Sequence, residues 1–155
     1  MNNTRNTNEI DKTGRVLLLT LQKNARLSYA ELGRIVGLTP TAVAERVRKL
    51  EDRGVISGYH AAVSLERLGY PMTVFVRLRS GQLADQALMD QIMQVPEALS
   101  CHSITGEDCL IIEIVAESVL HLRTVLGQLA EFGQTTTSLV LFSAEKKETP
   151  DLLLP

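Results

Sequence analysis

Residues 26–59 read RLSYAELGRIVGLTPTAVAERVRKLEDRGVISGY, and this stretch decides the first half of the fold. Ser28 and Glu31 head an apolar-periodic run at the spacing of a capping box, in which the serine hydroxyl accepts from the Glu31 amide and the carboxylate reaches back to Ser28. Leu32, Ile35 and Val36 give the helix that follows an inward face. Gly37 can take the positive φ at which such a helix stops, and Leu38 plugs the corner. Thr39 then serves as N-cap of a second helix with Pro40 at its first position, where a missing N–H costs nothing. Val43, Val47 and Leu50 recur at i, i+4 and i+7 as a buried stripe. Thr41, Glu45, Arg48 and Lys49 point away from it, with Ala42 and Arg46 on the flank.

Two short helices across a glycine turn are the plan of a helix-turn-helix, which lays the first part of its second helix in the major groove of DNA. Thr39, Thr41, Ala42, Glu45 and Arg46 are the candidates to reach base edges. Arg48, Lys49 and Arg53 lie further along and suit phosphates. Ser28 and Pro40, at the two helix starts, complete the candidate DNA-contacting set. The same pattern also serves ordinary packing in an all-α domain. The continuation GVISGYHAAV favours the DNA-binding reading: a glycine ends the helix and a β-rich segment follows, as in a winged or strand-linked variant.

Upstream, residues 1–8 are polar and expected to be disordered. A helix pattern starts at Ile10, with Leu17, Leu18 and Leu21 in phase and Lys12, Arg15, Gln22 and Lys23 left for water or phosphate. Gly14 weakens its first turn by roughly 1 kcal/mol relative to Ala unless a backbone packs on it. Residues 1–54 therefore read as a three-helix DNA-binding domain, and residues 55–70 as a hinge strand and linker.

From Pro71 the period changes to two. MTVFVRLRS places Met72, Val74, Val76 and Leu78 on one face and Thr73, Phe75, Arg77 and Arg79 on the other. A helix in DQALMDQIMQV is stopped by Pro96. Two strands, LSCHSIT and CLIIEIVA, follow and form a hairpin about Gly106-Glu107-Asp108. Ser118 caps a further helix with Val119, Leu122, Leu126, Leu129 and Phe132 inward, and TTTSLVLFSAEK is the last strand. The order β-α-β-β-α-β over residues 71–148 predicts a ferredoxin-like domain, with 149–155 as a tail, so the fold class is α+β. Ile104, Leu110, Ile112 and Ile114 are expected under the helices. Cys101, Cys109, Ile111, Val115 and Phe75 are expected on the bare face, where a second copy would bury them.

The formal charge of −2 hides an asymmetry. Residues 1–60 carry ten Lys/Arg against six Asp/Glu, and residues 61–155 carry six against twelve. The basic half suits DNA; the acidic half suits another ligand. No apolar run is long enough to span a bilayer, and MNNTRNTNEI lacks the apolar block of a signal peptide, which predicts a cytoplasmic protein. Two cysteines without zinc spacing and three scattered histidines predict neither a metal site nor a catalytic constellation.

From Ile10 to about Ala144 the chain resembles the Lrp/AsnC "feast/famine" regulators, through ID in the first helix, LQKNARLS, GLTPTAVAERVRKLEDRGVISGY and ITGEDCLI. The resemblance implies a winged-type helix-turn-helix domain, a hinge strand, and a ferredoxin-like (RAM-type) domain that oligomerises, as dimers assembling to octamers, and binds an amino-acid effector. It implies an effector site between dimers, near Thr105, Gly106, Glu107 and Asp108 and near Thr135, Thr136 and Thr137. A carboxylate there can hold an ammonium, and turn amides with threonine hydroxyls can hold a carboxylate. A plain hairpin turn beside a polar strand is the alternative for those residues.

Two departures stand out. Gly14 occupies a position often acidic in the family, and the loop has one residue, Glu107, between Gly106 and Asp108 where two are commoner. Two other functions fit the architecture. One is a nucleoid-organising protein without ligand. The other is an enzyme resembling the sirohaem decarboxylases, against which the sparse histidines and the basic helix argue.

Overall fold

The computed structural model describes residues 10–80, 86–106 and 109–144. Two compact units divide between Ala61 and Ala62, inside the segment expected as linker. The expectations for residues 1–8, for Glu107 and Asp108, and for the tail lie outside the described residues.

The first unit holds α1 (Lys12–Lys23), α2 (Tyr29–Val36) and α3 (Pro40–Asp52). Leu17, Leu21, Leu32, Val43 and Val47 form its core, with Leu27, Val36, Leu38 and Ile56 packed on it. Each fully buried aliphatic side chain contributes about 1.5–3 kcal/mol, so this cluster outweighs the capping contributions of about 1 kcal/mol each. The caps set where the helices begin; the core sets that they form at all. Ile35 departs from expectation and is 54% exposed. The inward face of α2 is centred on Leu32, Gly33 and Val36, and at roughly 100° per residue Ile35 falls outside it.

Gly33 is the reason for that orientation: a Cβ there would meet the carbonyl oxygen of Leu38 at 2.5 Å. The close approach brings the α2–α3 turn against the helix, and the Leu38 N–H donates to the Gly33 carbonyl at 2.9 Å. Gly37 adopts φ 71, as the helix stop requires. At Gly14 the covering group differs from the expected neighbouring backbone. The Ile10 side chain curls over it, and a Cβ there would lie 2.7 Å from Ile10 Cγ2.

The strand expected in VISGYHAAV is not present; residues 55–63 carry no ladder, and no wing follows α3 among the described residues. The backbone N–H groups of Val55 and Ile56 both donate to the Leu50 carbonyl, at 2.9 and 3.1 Å, and so close the C-terminus of α3. Ile56 then packs back on the helical core.

The second unit contains β1 (Met72–Arg79), α4 (Gln86–Ile92), β2 (Ala98–Ser103), β3 (Leu110–Ala116), α5 (Val119–Leu129) and β4 (Gln134–Leu139). Its strands lie in the order β2-β3-β1-β4, all neighbours antiparallel. Val74, Val76, Leu78, Leu110, Ile112 and Ile114 line one face, covered by Leu88 and Ile92 of α4 and Val125 and Leu129 of α5. This is the expected ferredoxin-like plan, with the alternation of β1 as read.

Several details of the second unit differ from the sequence reading. A bulge between Ala98 and Ser100 inserts Leu99, so that Cys101 stands opposite Ile112 and packs on the helix-side core. One extra residue reverses the alternation of everything beyond it. Cys109 also packs on that core, while Ile104, beyond the end of β2, is 37% exposed. On the outer face, ladder pairing puts Phe75 with Glu113 and Ser138, Ile111 with His102 and Arg77, and Arg77 in turn with Thr136. That face is mixed rather than apolar.

The buried stripe of α5 starts one turn later than expected. Val119 is 73% exposed, and Leu122, Val125, Leu126 and Leu129 carry the contact. β4 ends at Leu139, opposite Val74, and the Val140 N–H still donates to the Thr73 carbonyl at 2.9 Å just beyond it. No helix among the described residues is long and apolar enough to cross a membrane.

Candidate nucleic-acid interface and effector residues

Three side chains set the starts of the three helices. The Asp11 carboxylate accepts from the Gly14 N–H at 2.8 Å. The Ser28 hydroxyl accepts from the Glu31 N–H at 3.3 Å and donates to Glu31 Oε2 at 2.7 Å, while the Ser28 N–H donates to the same oxygen at 2.7 Å. The Thr39 hydroxyl accepts from the Ala42 N–H at 3.3 Å. Ser28 and Thr39, both candidates for DNA contact, are thus engaged in caps, although each stays exposed. Hydrogen bonds from the Ser28 hydroxyl and N–H, with the Arg34 charge nearby, hold the Glu31 carboxyl below the usual carboxylate range.

Val43, Val47 and Leu50 of α3 are buried, and Thr41, Glu45, Arg48, Lys49 and Arg53 are exposed, as the periodicity predicts. Arg48 Nε lies 3.8 Å from Asp52 Oδ2, with both side chains largely in water. Such an i, i+4 pair contributes about 0.3–0.5 kcal/mol and leaves the cation available to a phosphate. Pro40 is exposed at the helix start and Ala42 is half-buried beside it.

Arg46 is placed differently. Its Nη1 donates to Asp11 Oδ2 at 2.6 Å, across from α3 to the start of α1. One carboxylate therefore caps α1 with one oxygen and holds Arg46 with the other. The Gly14 N–H first, and then the Arg46 hydrogen bond and charge, keep the Asp11 carboxyl below the usual range. The groove beside this pair, about 260 Å³, is lined by Asp11, Gly14, Arg46, Lys49 and Arg53. The sequence reading missed the pairing, although Asp11 three residues before Gly14, at the head of an apolar-periodic run, was a visible N-cap.

A second clamp, also unread, closes the other end of α3. The Tyr59 hydroxyl donates to Glu51 Oε1 at 2.8 Å. Partial burial, reinforced by the Glu51 carboxylate, pushes the Tyr59 phenol up to about 12.

In the second unit, Thr105 and Gly106 are exposed just beyond β2, and Glu107 and Asp108 are outside the described residues. The three threonines of β4 do not act as one surface. Thr135 and Thr137 stand opposite Leu78 and Val76 and share the helix-side face, whereas Thr136 stands opposite Arg77 on the outer face. Thr135, Leu78, Leu110 and Ser103 form one row across the sheet, so the β2–β3 turn and the first threonine lie at the same end. Ser103 and Thr135 are three strand spacings apart, roughly 14 Å at 4.7–4.9 Å each.

Residues 10–51 match the family model of the AsnC-type helix-turn-helix domain, and residues 73–151 that of the Lrp/AsnC ligand binding domain. The HTH-type transcriptional regulator YezC of Bacillus subtilis is 37% identical over 135 residues, which is 87% of this chain and 96% of that protein. The feast or famine regulatory protein Rv3291c of M. tuberculosis, solved in complex with L-methionine, is similar at a TM-score of 0.83 and 26% identity, over 91% of this chain and 98% of the other. The Neisseria meningitidis transcriptional regulator NMB0573, solved as an L-Met complex, gives a TM-score of 0.80 at 30% identity, over 91% and 96% of the two chains.

Proposed function

Because the chain belongs to the Lrp/AsnC family of helix-turn-helix transcriptional regulators, we propose that its homodimer reads a pseudo-palindromic operator with two copies of α3 and that an amino acid held between second units shifts the assembly. The observation that carries this reading is α3 itself, a capped helix with an apolar stripe inward and Thr41, Glu45, Arg48 and Lys49 outward. Two such helices meet half-sites about 34–36 Å apart.

The dimer is supported by apolar side chains left in the open, with Leu141 and Phe142 83% and 90% exposed and Phe75 on the outer sheet face. A second copy is the partner that covers them. The amino-acid site is supported by the L-methionine complexes of the two similar structures and by the placement of the β2 end and Thr135 at the same end of the sheet. A second chain brings the turn of one copy to the threonines of another, as the resemblance implies. Assembly of dimers to octamers supplies such contacts. The effector acts through unequal affinity for the two assemblies.

A thermal-shift screen of the full-length protein against the twenty amino acids tests the effector, because a ligand at a hundredfold excess over Kd stabilises by about 2.7 kcal/mol. A selective shift, abolished by Asp108→Ala and accompanied by a change of mass in light scattering, is the expected result. A flat screen with unchanged mass removes the effector and turns the reading to a regulator that organises DNA without ligand.

A further inference from the structure

We propose that Glu45 reads a base edge and selects cytosine, through a hydrogen bond from the cytosine N4 amino group to its carboxylate. This rests on the reading of α3 as the helix that enters the major groove, and it names what that helix recognises. Glu45 is exposed on the outward row of α3, one turn beyond Thr41. It makes no hydrogen bond or ion pair to any described residue, although cations flank it in sequence. Arg46 is turned to Asp11 at 2.6 Å and Arg48 to Asp52 at 3.8 Å. The front of the helix thus offers a polyanion an uncompensated carboxylate, beside a guanidinium already drawn towards α1.

A carboxylate facing DNA has two outcomes. Opposite phosphates it repels and weakens binding to every sequence. Opposite a base it accepts a hydrogen bond, and the major-groove edges then differ sharply. Guanine shows N7 and O6, both acceptors, and thymine shows O4 and a methyl group. Adenine offers its N6 amino group beside the repelling N7. Cytosine offers its N4 amino group with no acceptor on its own edge, so it is the base that compensates Glu45 best. The same residue therefore acts twice, by lowering affinity for random DNA and by rejecting three of the four bases at one position of each half-site.

The test is selection from a randomised duplex library at one fixed salt concentration with the full-length protein and its Glu45→Ala and Glu45→Gln variants. Both substitutions leave folding intact, since the side chain is exposed without partners and both replacements are good helix formers; circular dichroism checks this. The wild type is expected to enrich a motif with cytosine fixed at one position per half-site. Glu45→Ala loses about tenfold discrimination there, keeps the remaining motif and binds random duplex more tightly. Glu45→Gln moves that position towards adenine, whose N6 and N7 match an amide. An unchanged motif in Glu45→Ala, or guanine or thymine at the position that changes, overturns the proposal and leaves the operator-reading function standing. A wild type that enriches no motif overturns both.

Discussion

In the helical unit each helix start is set by a side chain three residues from the amide it caps, whereas in the sheet unit Val74 takes its place from pairing with Ile114 and Leu139 on two other strands. The first unit is assembled from local signals and then locked by two longer contacts, Asp11 with Arg46 and Tyr59 with Glu51. The second is assembled from register, so that one inserted residue at Leu99 changes which face Cys101 occupies. Local signals tolerate single losses one at a time; a register does not, because every ladder pair depends on its neighbours.

Substitutions can break or sharpen that contrast. The largest effect is expected for Ile112→Ala, which empties a fully buried site at the centre of the sheet and costs about 2–5 kcal/mol. Urea unfolding followed by circular dichroism should show the loss, and a cost below 1 kcal/mol would mean the sheet does not depend on its central rows. Next comes Gly33→Ala, whose Cβ cannot coexist with the Leu38 carbonyl at 2.5 Å. Relieving the clash costs about 1–3 kcal/mol and tilts α2 against α3, so operator affinity falls along with stability. Undiminished affinity would show that the α2–α3 turn does not set the reading angle.

Asp11→Ala should cost about 1 kcal/mol as a lost N-cap, plus at most about 1 kcal/mol for an exposed ion pair. Its pH dependence identifies the group. The Asp11 carboxyl titrates below its unfolded value, so its contribution is present above that value and fades as pH falls through the depressed folded one. The variant should therefore show a flatter acid limb than the wild type, and parallel acid limbs would assign the depression to another carboxylate. The smallest effect is expected for Tyr59→Phe, about 0.5–1.5 kcal/mol for one hydrogen bond. Here the sign reverses. The raised phenol stabilises the fold below its unfolded value near 10, and the contribution is lost as pH rises through about 12. Wild type and Tyr59→Phe should therefore converge in strongly alkaline solution.

The legibility of the two halves follows the same divide. Ser28, Gly37, Thr39 and Pro40 sit where their chemistry placed them, because caps and stops act over one turn. Thr41, Glu45, Arg48 and Lys49 face outward as their spacing required. Arg46 did not reveal itself, since nothing within its own helix points to Asp11. The candidate effector residues were harder still: Thr135, Thr136 and Thr137 look equivalent in sequence, and only the pairing of β4 with β1 assigns the middle one to the opposite face.

By itself the sequence determined the β-α-β-β-α-β order of the second unit, the starts of α2 and α3 and the inward stripe of α3. These rest on the 3.6 and 2.0 residue periods and on cap chemistry, which are properties of a short run of chain. Tertiary structure alone decided the partner of Arg46, the return of Val55 and Ile56 to the Leu50 carbonyl in place of a strand, and the face taken by Cys101. Each of these depends on which donor or neighbour lies closest in space, and spatial proximity between distant residues exists only once the chain has folded.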